Sequence, residues 1–353
     1  MNRTAVLAYS GGLDTSCAIA WLKEDYGFEE VVAVLVDVGQ EASFGPAVER
    51  GRLAGADDVL LLDRKEAFAE EQVAKALLAN ALYEGKYPLV SALSRPVIAE
   101  AVAEVALELG AEEARGIPVE AKPESPYSVD DNLFGRAIEA GMLEDPWTAP
   151  PEEAFVLTAA AADAPAPVEC VVAFQEGLPV ALDCEELPLD ELVGVLNEQA
   201  GAYGIGRIDM IENRAVGIKS RELYEAPAAL TLIAAHRALE ELVLTKGELE
   251  AKRELEPRWA KLVYDGGWFA RLRNAYDAFF SATQQLVTGE VRLSLQPGAP
   301  VVTGRRSEHA LYSEELASYG IGETFPHQAA SGFIGITALE TQLVAARERV
   351  EVA

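Results

Sequence analysis

Cysteine and histidine are scarce in this chain, which has three of each. Cys17, Cys170 and Cys184 are widely spaced and form no C-x-x-C pair, so the sequence predicts neither a disulfide framework nor a thiolate metal site. We expect these thiols to be small buried groups in a reducing compartment. The histidines show no metal-ligand spacing, and we expect them to be structural. No metal ion bound by protein side chains is therefore predicted.

Positive charge and long apolar runs are also lacking. Lys and Arg number 29 against 58 Asp and Glu, which gives a net charge of −29. Such a charge repels polyanions, so we expect no nucleic-acid partner, although a loop of N–H groups could still bind ATP. No apolar stretch reaches the length of a membrane span, and the N-terminus resembles a strand rather than a signal peptide. We expect a cytoplasmic protein without a membrane partner.

The most informative segment that is present is AYSGGLDTS at 8–16. The apolar run at 4–8 predicts a buried parallel strand. Gly11 and Gly12 then allow a tight turn and a close approach of a ligand to the backbone. Asp14 begins a helix whose N-terminus presents free N–H groups and a positive dipole end to an anion. The segment predicts a phosphate-binding loop; the alternative is a strand-to-helix turn without a ligand.

This loop differs from the Walker phosphate loop, because it contains no lysine. It is similar to the SGG-x-D-[ST]-S loop of ATP pyrophosphatases, which cleave ATP between the α- and β-phosphates. The resemblance implies that the loop binds ATP and then pyrophosphate, with Mg²⁺ accompanying the nucleotide.

Apolar strands alternate with helical segments through the first third of the chain. Strands are predicted at 30–37 and 58–63, and helices at 47–53, 65–82 and 96–110. This alternation indicates an α/β fold with a doubly wound parallel sheet. The helix that ends at 107–111 is not followed by a strand pattern, so the sequence predicts no fourth strand.

The remainder of the chain predicts an α+β fold after a Pro- and Ala-rich linker at 145–168. Strand patterns lie at 169–183 (around a turn at 177–179), 204–209, 215–218, 290–296 and 300–304, and helix patterns at 189–201, 227–246, 266–287 and 337–350. The last helix carries Leu339, Leu343 and Val344 on one stripe, which a lone arm could not bury.

Several longer segments resemble the argininosuccinate synthase family. They are AYSGGLDTS at 8–16, ALYEGKYPLVSALSRP at 81–96, GIPVEAKPESPYSVDDNL at 116–133, EAGMLEDPW at 139–147 and GIGRIDMIENRAVGIKSRELYEAP at 204–227, with shorter matches at 261–269 and 287–295. The segment at 204–227 is specific to that family, and together the matches cover nearly the whole chain in order.

Members of the family are ligases of arginine biosynthesis. With ATP, the ureido oxygen of citrulline attacks the α-phosphate to give citrullyl-AMP and pyrophosphate, and the aspartate amine then displaces AMP. Such catalysis depends mainly on positioning and on stabilisation of charge. The resemblance implies ATP and Mg²⁺ as cofactors, citrulline and aspartate as substrates, and a homotetramer.

The resemblance also implies two groups of binding residues. Those expected to contact ATP and pyrophosphate are Ala8, Tyr9, Ser10, Gly11, Gly12, Leu13, Asp14, Thr15, Ser16 and Val36. Those expected to contact citrulline are Tyr87, Ser128, Glu212 and Tyr224, with Ala92, Arg95 and Ala137 as further candidates. No residue is assigned a certain catalytic role, and no aspartate-binding groups are found.

Two of the citrulline positions depart from the family, which often has serine where this chain has Ala92 and Ala137. Those hydroxyl contacts are absent, and Ser91 is a neighbouring substitute that the sequence leaves open. Taken singly, Ser128 could instead cap a helix, and Glu212 could be a solvated acid. Taken singly, Tyr87 and Tyr224 would each more often be packing residues than ligands.

The largest departure from the family lies near 111–113. There the family carries two more βα units of about 30 residues each. They include a second glycine-rich loop of the type HG-x-TGKGNDQVRFE, which this chain lacks. In the family that loop supplies the other side of the ATP site, the aspartate site, and an Asn and an Arg for citrulline. We therefore expect impaired activity, and an exposed edge at the first strand.

Three explanations for the missing stretch stay open. The chain is an internally deleted or mis-spliced form of an ordinary enzyme, which we favour because the flanking segments are well kept; or it is a degenerate paralogue; or a partner subunit supplies the missing half.

The alternative functions are a catalytically incomplete pseudo-synthetase that binds nucleotide and citrulline and, less favoured, a tRNA-thiolating pyrophosphatase. The expected domains are a nucleotide-binding domain at 1–120, a synthetase domain at 121–334 and an oligomerisation helix at 335–353.

Overall fold

A computed structural model describes residues 3–40, 44–111, 113–116, 127–317 and 328–351. The chain divides into two compact units, Met1–His309 and Ala310–Ala353. The larger unit begins with a parallel sheet covered by helices and continues into two antiparallel sheets. The predicted fold class is therefore confirmed, whereas the three-part domain division stays a prediction.

The N-terminal part alternates strands with helices, as the apolar pattern predicts. Its elements are β1 (Thr4–Ala8), α1 (Leu13–Glu24), β2 (Glu30–Asp37), α2 (Phe44–Leu53), β3 (Asp58–Asp63), α3 (Lys65–Ala67), a π-helical stretch (Phe68–Val73), α4 (Ala74–Leu78), α5 (Val90–Leu109) and β4 (Glu113–Gly116). Strands β1 and β2 are almost entirely buried. Their continuous apolar sequences follow from this burial, since helices cover parallel sheets on both faces.

The prediction that no fourth strand follows α5 is wrong. Strand β4 pairs in parallel with β1, and the sheet has the order β3-β2-β1-β4. The local sequence of β4 has no apolar strand pattern and so gives no signal. The strand forms because α5 ends at Gly110, whose φ is +61°, and the chain then returns to the open edge of β1. The expectation of an exposed edge at the first strand is therefore wrong as well.

The direction of the connections reverses between β1 and β4. The crossovers through α1 and α2 lead away from β1 on one side, and the crossover through α5 leads to its other side. In open α/β sheets, ligands bind at the carboxyl ends of the strands at such a switch point. The segment that follows β1 therefore lies where this topology places a ligand.

Two antiparallel sheets follow, with strand orders β10-β11-β6-β5 and β13-β12-β7-β8-β9. Their strands are β5 (Ser128–Asn132), β6 (Gly135–Glu139), β7 (Val168–Gln175), β8 (Leu178–Leu182), β9 (Glu185–Glu186), β10 (Arg207–Asn213), β11 (Lys219–Glu225), β12 (Gly289–Gln296) and β13 (Ala299–Arg306). The helices are α6 (Leu189–Gly201), α7 (Pro227–Val243), α8 (Lys246–Tyr264) and α9 (Arg271–Gln284). Only single turns of 3₁₀ helix occupy the described linker between β6 and β7, as its Pro- and Ala-rich sequence predicts.

The structure also differs from the predicted elements around β10, β11 and α8. The strand expected at 215–218 is a turn, closed by the Arg214 N–H donating to the Ile218 carbonyl oxygen (2.8 Å), with Gly217 at φ +84°. The second strand, β11, begins only after this turn. Helix α8 was not predicted, because its charged sequence hides the apolar period. It begins with a capping box in which Thr245 and Glu248 each accept the backbone N–H of the other.

Two contacts attach the N-terminal sheet to the strands β5 and β6. The Leu133 N–H donates to the Val38 carbonyl oxygen (2.8 Å), which fixes the turn between β5 and β6 against the carboxyl end of β2. The side-chain amide of Asn132 donates to the Val90 carbonyl oxygen (2.8 Å) at the start of α5. The carboxyl edge of the parallel sheet therefore lies next to β5, β6 and the beginning of α5.

Cysteine burial differs from the prediction, whereas His236 is buried and hydrogen-bonded, as predicted for a structural histidine. Cys170 is buried, but Cys17 and Cys184 are exposed, because they lie on the outer face of α1 and just after β8. Burial raises the pKa of the Cys170 thiol to about 11. His236 is fully buried and bonds to Asn80 (2.7 Å) and Gln284 (2.8 Å), as expected of a structural histidine.

The smaller unit consists of α10 (Glu314–Ala317), α11 (Ala329–Thr337) and α12 (Leu339–Glu351) in its described residues. Its large apolar side chains are exposed, among them Phe333, Ile336 and Leu343. In the part of the chain that the structure describes, no single helix has the length and apolar composition to cross a membrane. The bent pair Ala329–Thr337 and Leu339–Glu348 meets that test only when its two helices are taken together.

Candidate functional site

The predicted phosphate loop lies at the carboxyl end of β1. The Tyr9 N–H donates to the Val34 carbonyl oxygen (2.8 Å), which continues the pairing of β1 with β2 beyond the strand. Gly12 is the N-cap of α1, and within the described residues no side chain caps this terminus. The first N–H groups of α1 have no acceptor inside the helix, so they can donate hydrogen bonds to an anion at this terminus.

Hydroxyl groups hold the shape of the loop. Ser10 Oγ accepts the Gly12 N–H (3.2 Å) and lies 3.2 Å from Thr15 Oγ1. Ser16 Oγ donates to the Gly12 carbonyl oxygen (2.7 Å) and lies 3.0 Å from the Tyr9 phenol oxygen. Tyr9 and Thr15 are buried, whereas Ser10 is exposed. The loop is therefore braced from within and keeps an exposed hydroxyl on its outer side.

Gly11 occupies a backbone conformation that favours glycine. Its φ is +76°, and a Cβ atom there would lie 2.5 Å from the Cβ of Ala47 on α2. Further along α2, Arg50 Nε donates to the Gly11 carbonyl oxygen (2.8 Å). The Arg50 guanidinium provides the positive charge that the loop itself lacks. The sequence does not indicate Arg50 as a loop residue, because only the packing of α2 against the loop brings it there.

The other expected nucleotide residues lie at the same edge of the sheet. Ala8 is the last residue of β1, and Leu13 and Asp14 are exposed at the start of α1. Val36 lies on β2, two residues beyond the partner of Ala8, and its carbonyl oxygen accepts the side-chain amide of Gln40 (2.9 Å). The structure thus brings the ten residues expected to contact ATP to one edge.

A cavity of about 310 Å³ lies against the antiparallel sheet β10-β11-β6-β5 and the beginning of α5. The residues that line it include all seven expected at the citrulline site: Tyr87, Ala92, Arg95, Ser128, Ala137, Glu212 and Tyr224. Alternate residues of a strand share one face, which explains why β5, β6, β10 and β11 each contribute to the same wall. Ser128 begins β5, so the alternative that it caps a helix is wrong.

Stacked tyrosine rings form one side of the cavity. Tyr87 stacks on Tyr224 with ring centroids 4.1 Å apart, and Tyr83 stacks on Tyr264 with centroids 3.7 Å apart. The Tyr87 phenol oxygen accepts the Ser91 N–H (2.9 Å). Burial raises the pKa of Tyr87, Tyr224 and Tyr264 well above the usual value, so all three phenols are neutral at physiological pH. They are therefore packing residues and hydrogen-bonding groups at once.

Glu212 is held in the cavity by two of these phenols. Its side chain is 4% exposed, so the alternative that it is a solvated surface acid is wrong. Tyr224 donates to Glu212 Oε2 (2.7 Å), and Tyr264 donates to Glu212 Oε1 (2.5 Å). Each carboxylate oxygen thus has a fixed donor, and the orientation of the carboxyl plane is set.

Two further acids, Glu139 and Glu222, line the same cavity. Glu222 on β11 is buried, and the register of β11 with β6 places it beside Glu139, which lines the same cavity. Burial, followed by the negative charge of Glu139, raises the pKa of Glu222 to about 9. Glu222 is therefore protonated at neutral pH.

Charges at the cavity mouth have the opposite sign. Arg95 and Arg214 line the cavity and are exposed, and Arg95 Nη2 lies 3.6 Å from Asp130 Oδ2. Exposed ion pairs of this kind are weak, so Arg95 can exchange Asp130 for a ligand carboxylate at little cost. The cavity combines a floor of acids and phenols with a rim that carries two guanidinium groups.

Several cavity residues are not among those predicted from the sequence: Asp130, Glu139, Arg214, Glu222 and Tyr264. The alternation of strand residues could have indicated Glu139 and Glu222, because they lie two residues from Ala137 and Tyr224. Tyr264 lies in the family match at 261–269, but its contact with Glu212 depends on the unpredicted helix α8, which the local sequence does not indicate.

Comparison with known proteins gives two family models that match this chain. The Arginosuccinate synthase N-terminal HUP domain matches residues 4–117, and the Arginosuccinate synthase C-terminal domain matches residues 127–344. Among curated relatives, the argininosuccinate synthase of Brevibacillus brevis is 44% identical over 96% of this chain and 92% of its own. That of Gloeobacter violaceus is 42% identical over 97% and 98%, and that of Parasynechococcus marenigrum 44% over 98% and 98%.

The alignments with these relatives extend over 388, 391 and 393 positions, more than the 353 residues of the chain. The relatives therefore contain residues that have no counterpart here. Because the family models match both parts of the chain and the identity extends over nearly its whole length, the chain belongs to the argininosuccinate synthase family.

Proposed function

We propose that the phosphate loop binds the phosphates of ATP and that the cavity binds citrulline. By its family the chain is an ATP-dependent ligase of arginine biosynthesis. The observation that supports this assignment of sites is convergence: seven residues expected to contact citrulline come from five separate segments and line one cavity. The contact between Leu133 and Val38 keeps that cavity next to the edge of the sheet that carries the loop.

The chemistry of each site suits its substrate. In the family reaction the ureido oxygen of citrulline attacks the α-phosphorus of ATP, and pyrophosphate leaves. The N-terminus of α1 and the Arg50 guanidinium stabilise the negative charge of that leaving group. Neutral phenols and the Ser128 hydroxyl donate hydrogen bonds inside the cavity, while the fixed Glu212 carboxylate accepts them.

We further propose that Mg²⁺ enters with the phosphates of ATP. Within the described residues no group of three or more His, Cys, Asp or Glu side chains could hold a metal ion. The exposed Asp14 carboxylate at the start of α1 is the loop group that fits a cation on the phosphates. Replacement of Asp14 by Ala is expected to weaken nucleotide binding more in the presence of Mg²⁺ than in its absence.

The second step of the reaction is the one we expect to be impaired. The family loop that binds aspartate is missing from this chain. The aspartate amine must be held close to the adenylated ureido carbon before AMP can leave. Positioning of this kind can lower a barrier by about 7–11 kcal/mol, so loss of most of it slows the step by many orders of magnitude.

Two assays on the purified chain test this function. Citrulline-dependent exchange between ATP and pyrophosphate reports the first step, and argininosuccinate formation with added aspartate reports the whole reaction. We expect weak exchange and little argininosuccinate. Exchange that does not depend on citrulline would refute the assignment of the cavity. Normal argininosuccinate formation would show that other residues of this chain form the aspartate site.

A catalytically incomplete pseudo-synthetase is the second candidate function, and the missing family loop is the feature that favours it. It predicts nucleotide and citrulline binding without exchange in the first assay.

Further properties of the chain also remain proposals. We propose a cytoplasmic homotetramer that binds no nucleic acid, with a nucleotide-binding domain at 1–120, a synthetase domain at 121–334 and an oligomerisation helix at 335–353. The net charge of −29 supports the exclusion of nucleic acid. Exposed apolar side chains on α11 and α12 support association through the smaller unit.

A further inference from the structure

A cluster of buried polar side chains lies outside the cavity, where the end of α4 meets α7, α8 and α9. Its members are Asn80, His236, Glu240, Lys252, Glu256 and Gln284. Lys252 is 1% exposed, and its Nζ lies 2.8 Å from Glu256 Oε1 and 2.9 Å from Glu240 Oε1. Well-packed apolar side chains often hold helices together at least as firmly as buried ion pairs do. Stability alone therefore does not account for the cluster.

Asn80 is the residue through which the cluster holds the chain that leaves α4. Its side-chain amide donates to Glu240 Oε2 (2.7 Å) and to Glu256 Oε1 (2.8 Å), and its Oδ1 lies 2.7 Å from His236 Nδ1. Its φ is +43°, a conformation that asparagine adopts more readily than most residues. Side chains of α7 and α8 thus fix the residue at which the backbone turns.

Both segments that meet in the cluster continue to the stacked tyrosine rings of the cavity. Three residues after Asn80 comes Tyr83, whose ring stacks on that of Tyr264. Helix α8 extends eight residues, about 12 Å, from Glu256 to Tyr264, which donates to Glu212. The two segments are therefore held together at both ends, by polar bonds in the cluster and by a ring stack at the cavity.

A proline inside α8 makes the helix depend on the cluster. Pro257 directly follows Glu256 and has no N–H, so the backbone hydrogen bonding of α8 is interrupted there. The bond between Lys252 and Glu256 spans the same turn, and Lys252 also pairs with Glu240 on α7. The cluster thus holds α8 at the turn where its own backbone bonding is weakest.

We infer that Asn80, Lys252 and Glu256 are positioning residues for the proposed citrulline cavity. This role rests on the function proposed for that cavity. Hydrogen bonds and ion pairs have fixed partners and directions, whereas apolar packing accommodates small shifts. The cluster therefore sets the register of the segment at 80–87 against α8, and this register brings the Tyr264 hydroxyl to Glu212.

Citrulline titration of the full chain by calorimetry tests this role in a double-mutant cycle. Asn80→Gly removes the amide that joins the two segments and keeps a residue suited to a positive φ. In the otherwise unaltered chain we expect it to weaken citrulline binding about 10-fold, since the bond from Tyr264 to Glu212 is lost. In Tyr264→Phe, where that bond is already absent, we expect a loss of less than about 2-fold. Losses of equal size in both backgrounds would overturn the positioning role.

Glu256→Gln is a milder variant that decides the same cycle if Asn80→Gly does not fold. It removes the charge from the group that joins Asn80 to α8, while Lys252 keeps Glu240 as its ion-pair partner. We expect citrulline affinity to fall about 3-fold, because the bond from Asn80 is weakened rather than lost, and this effect should also disappear in Tyr264→Phe. Unchanged affinity in Glu256→Gln and in every Asn80→Gly sample that folds would refute the role.

Leu239→Ala is the control for general stability. Leu239 is buried on α7 and is not a member of the cluster, so its truncation should lower Tm and leave citrulline affinity unchanged. A loss of affinity in Leu239→Ala as large as that in Asn80→Gly would show that any destabilisation weakens binding, and the cluster would then have no positioning role.

Near-ultraviolet circular dichroism gives a second readout that needs no ligand. The ring stack of Tyr83 on Tyr264 places two chromophores 3.7 Å apart, and Tyr264→Phe identifies their share of the tyrosine signal. We expect Asn80→Gly to lose that share and Leu239→Ala to keep it. An unchanged tyrosine signal in Asn80→Gly would contradict the proposal. If the unaltered chain binds no citrulline, the function proposed for the cavity fails, and the dichroism still decides whether the cluster positions the tyrosines.

Discussion

Glu212 accepts hydrogen bonds from two phenols, and we predict that loss of the one from Tyr264 lowers both stability and citrulline affinity. Replacement of Tyr264 by Phe removes the donor to Glu212 Oε1 but keeps the ring that stacks on Tyr83 at 3.7 Å. The buried carboxylate then keeps only the Tyr224 hydroxyl as a donor. The change therefore isolates one hydrogen bond from the packing around it.

The size of the effect follows from burial. A lost hydrogen bond to a buried charged group costs about 1.5–3 kcal/mol of stability. Unfolding entropy is about 2.1 cal/mol/K per residue, so for the unit Met1–His309 this cost lowers Tm by about 2–5 °C. Citrulline affinity should fall as well, because the Glu212 carboxyl plane is no longer fixed. The double variant Tyr224→Phe/Tyr264→Phe should lose more than the sum of the two, since Glu212 then has no phenol donor.

Differential scanning calorimetry and citrulline titration measure both effects. Tyr276→Phe is the matched control, because Tyr276 is half-buried and its hydroxyl has no hydrogen bond to any residue that the structure describes. We expect its Tm and its citrulline affinity to equal those of the unaltered chain. If Tyr264→Phe behaves like Tyr276→Phe in both measurements, the hydrogen bond from Tyr264 does not position Glu212.

Three further predictions follow from other parts of the structure. Gly11→Ala should abolish ATP binding measured by calorimetry, because the new Cβ would lie 2.5 Å from the Cβ of Ala47. Gly45→Ala on α2 is the control and should bind ATP normally, because a Cβ there meets no atom within 4 Å. Equal ATP affinities of the two variants would exclude the loop from the ATP site. The raised pKa of Glu222, about 9 against the ordinary 4.5, means that the native chain holds a proton that the unfolded chain loses. Its contribution to stability is therefore full below about pH 4.5 and falls by at most about 1.4 kcal/mol per pH unit as pH rises toward 9. Denaturant titrations from pH 5 to 9 should show a flatter profile for Glu222→Gln, and parallel profiles would contradict the assignment. Truncation at Gly335 should give a smaller particle in light scattering, because it removes the exposed Leu339 and Leu343; an unchanged number of chains per particle would remove α12 from the assembly.

The sequence by itself determined the family, the parallel sheet and the phosphate loop. These depend on local order: an apolar strand, two glycines and a helix start lie within adjacent residues at 4–16, and each has its own physical signature. The residues expected to contact citrulline could be named for the same reason, since all of them except Ala137 lie inside a contiguous segment of family sequence, and Ala137 lies between two such segments.

Only the tertiary structure decided which distant groups meet. Strand β4 has no strand pattern of its own and exists because β1 offers an open edge. Arg50 reaches the Gly11 carbonyl oxygen from α2. Tyr264 reaches Glu212 from the end of α8, 52 residues further along the chain. Glu222 has a raised pKa because it is buried and because two strands bring it beside Glu139. Long-range contacts depend on the packing of whole elements, and no local pattern of residues encodes them.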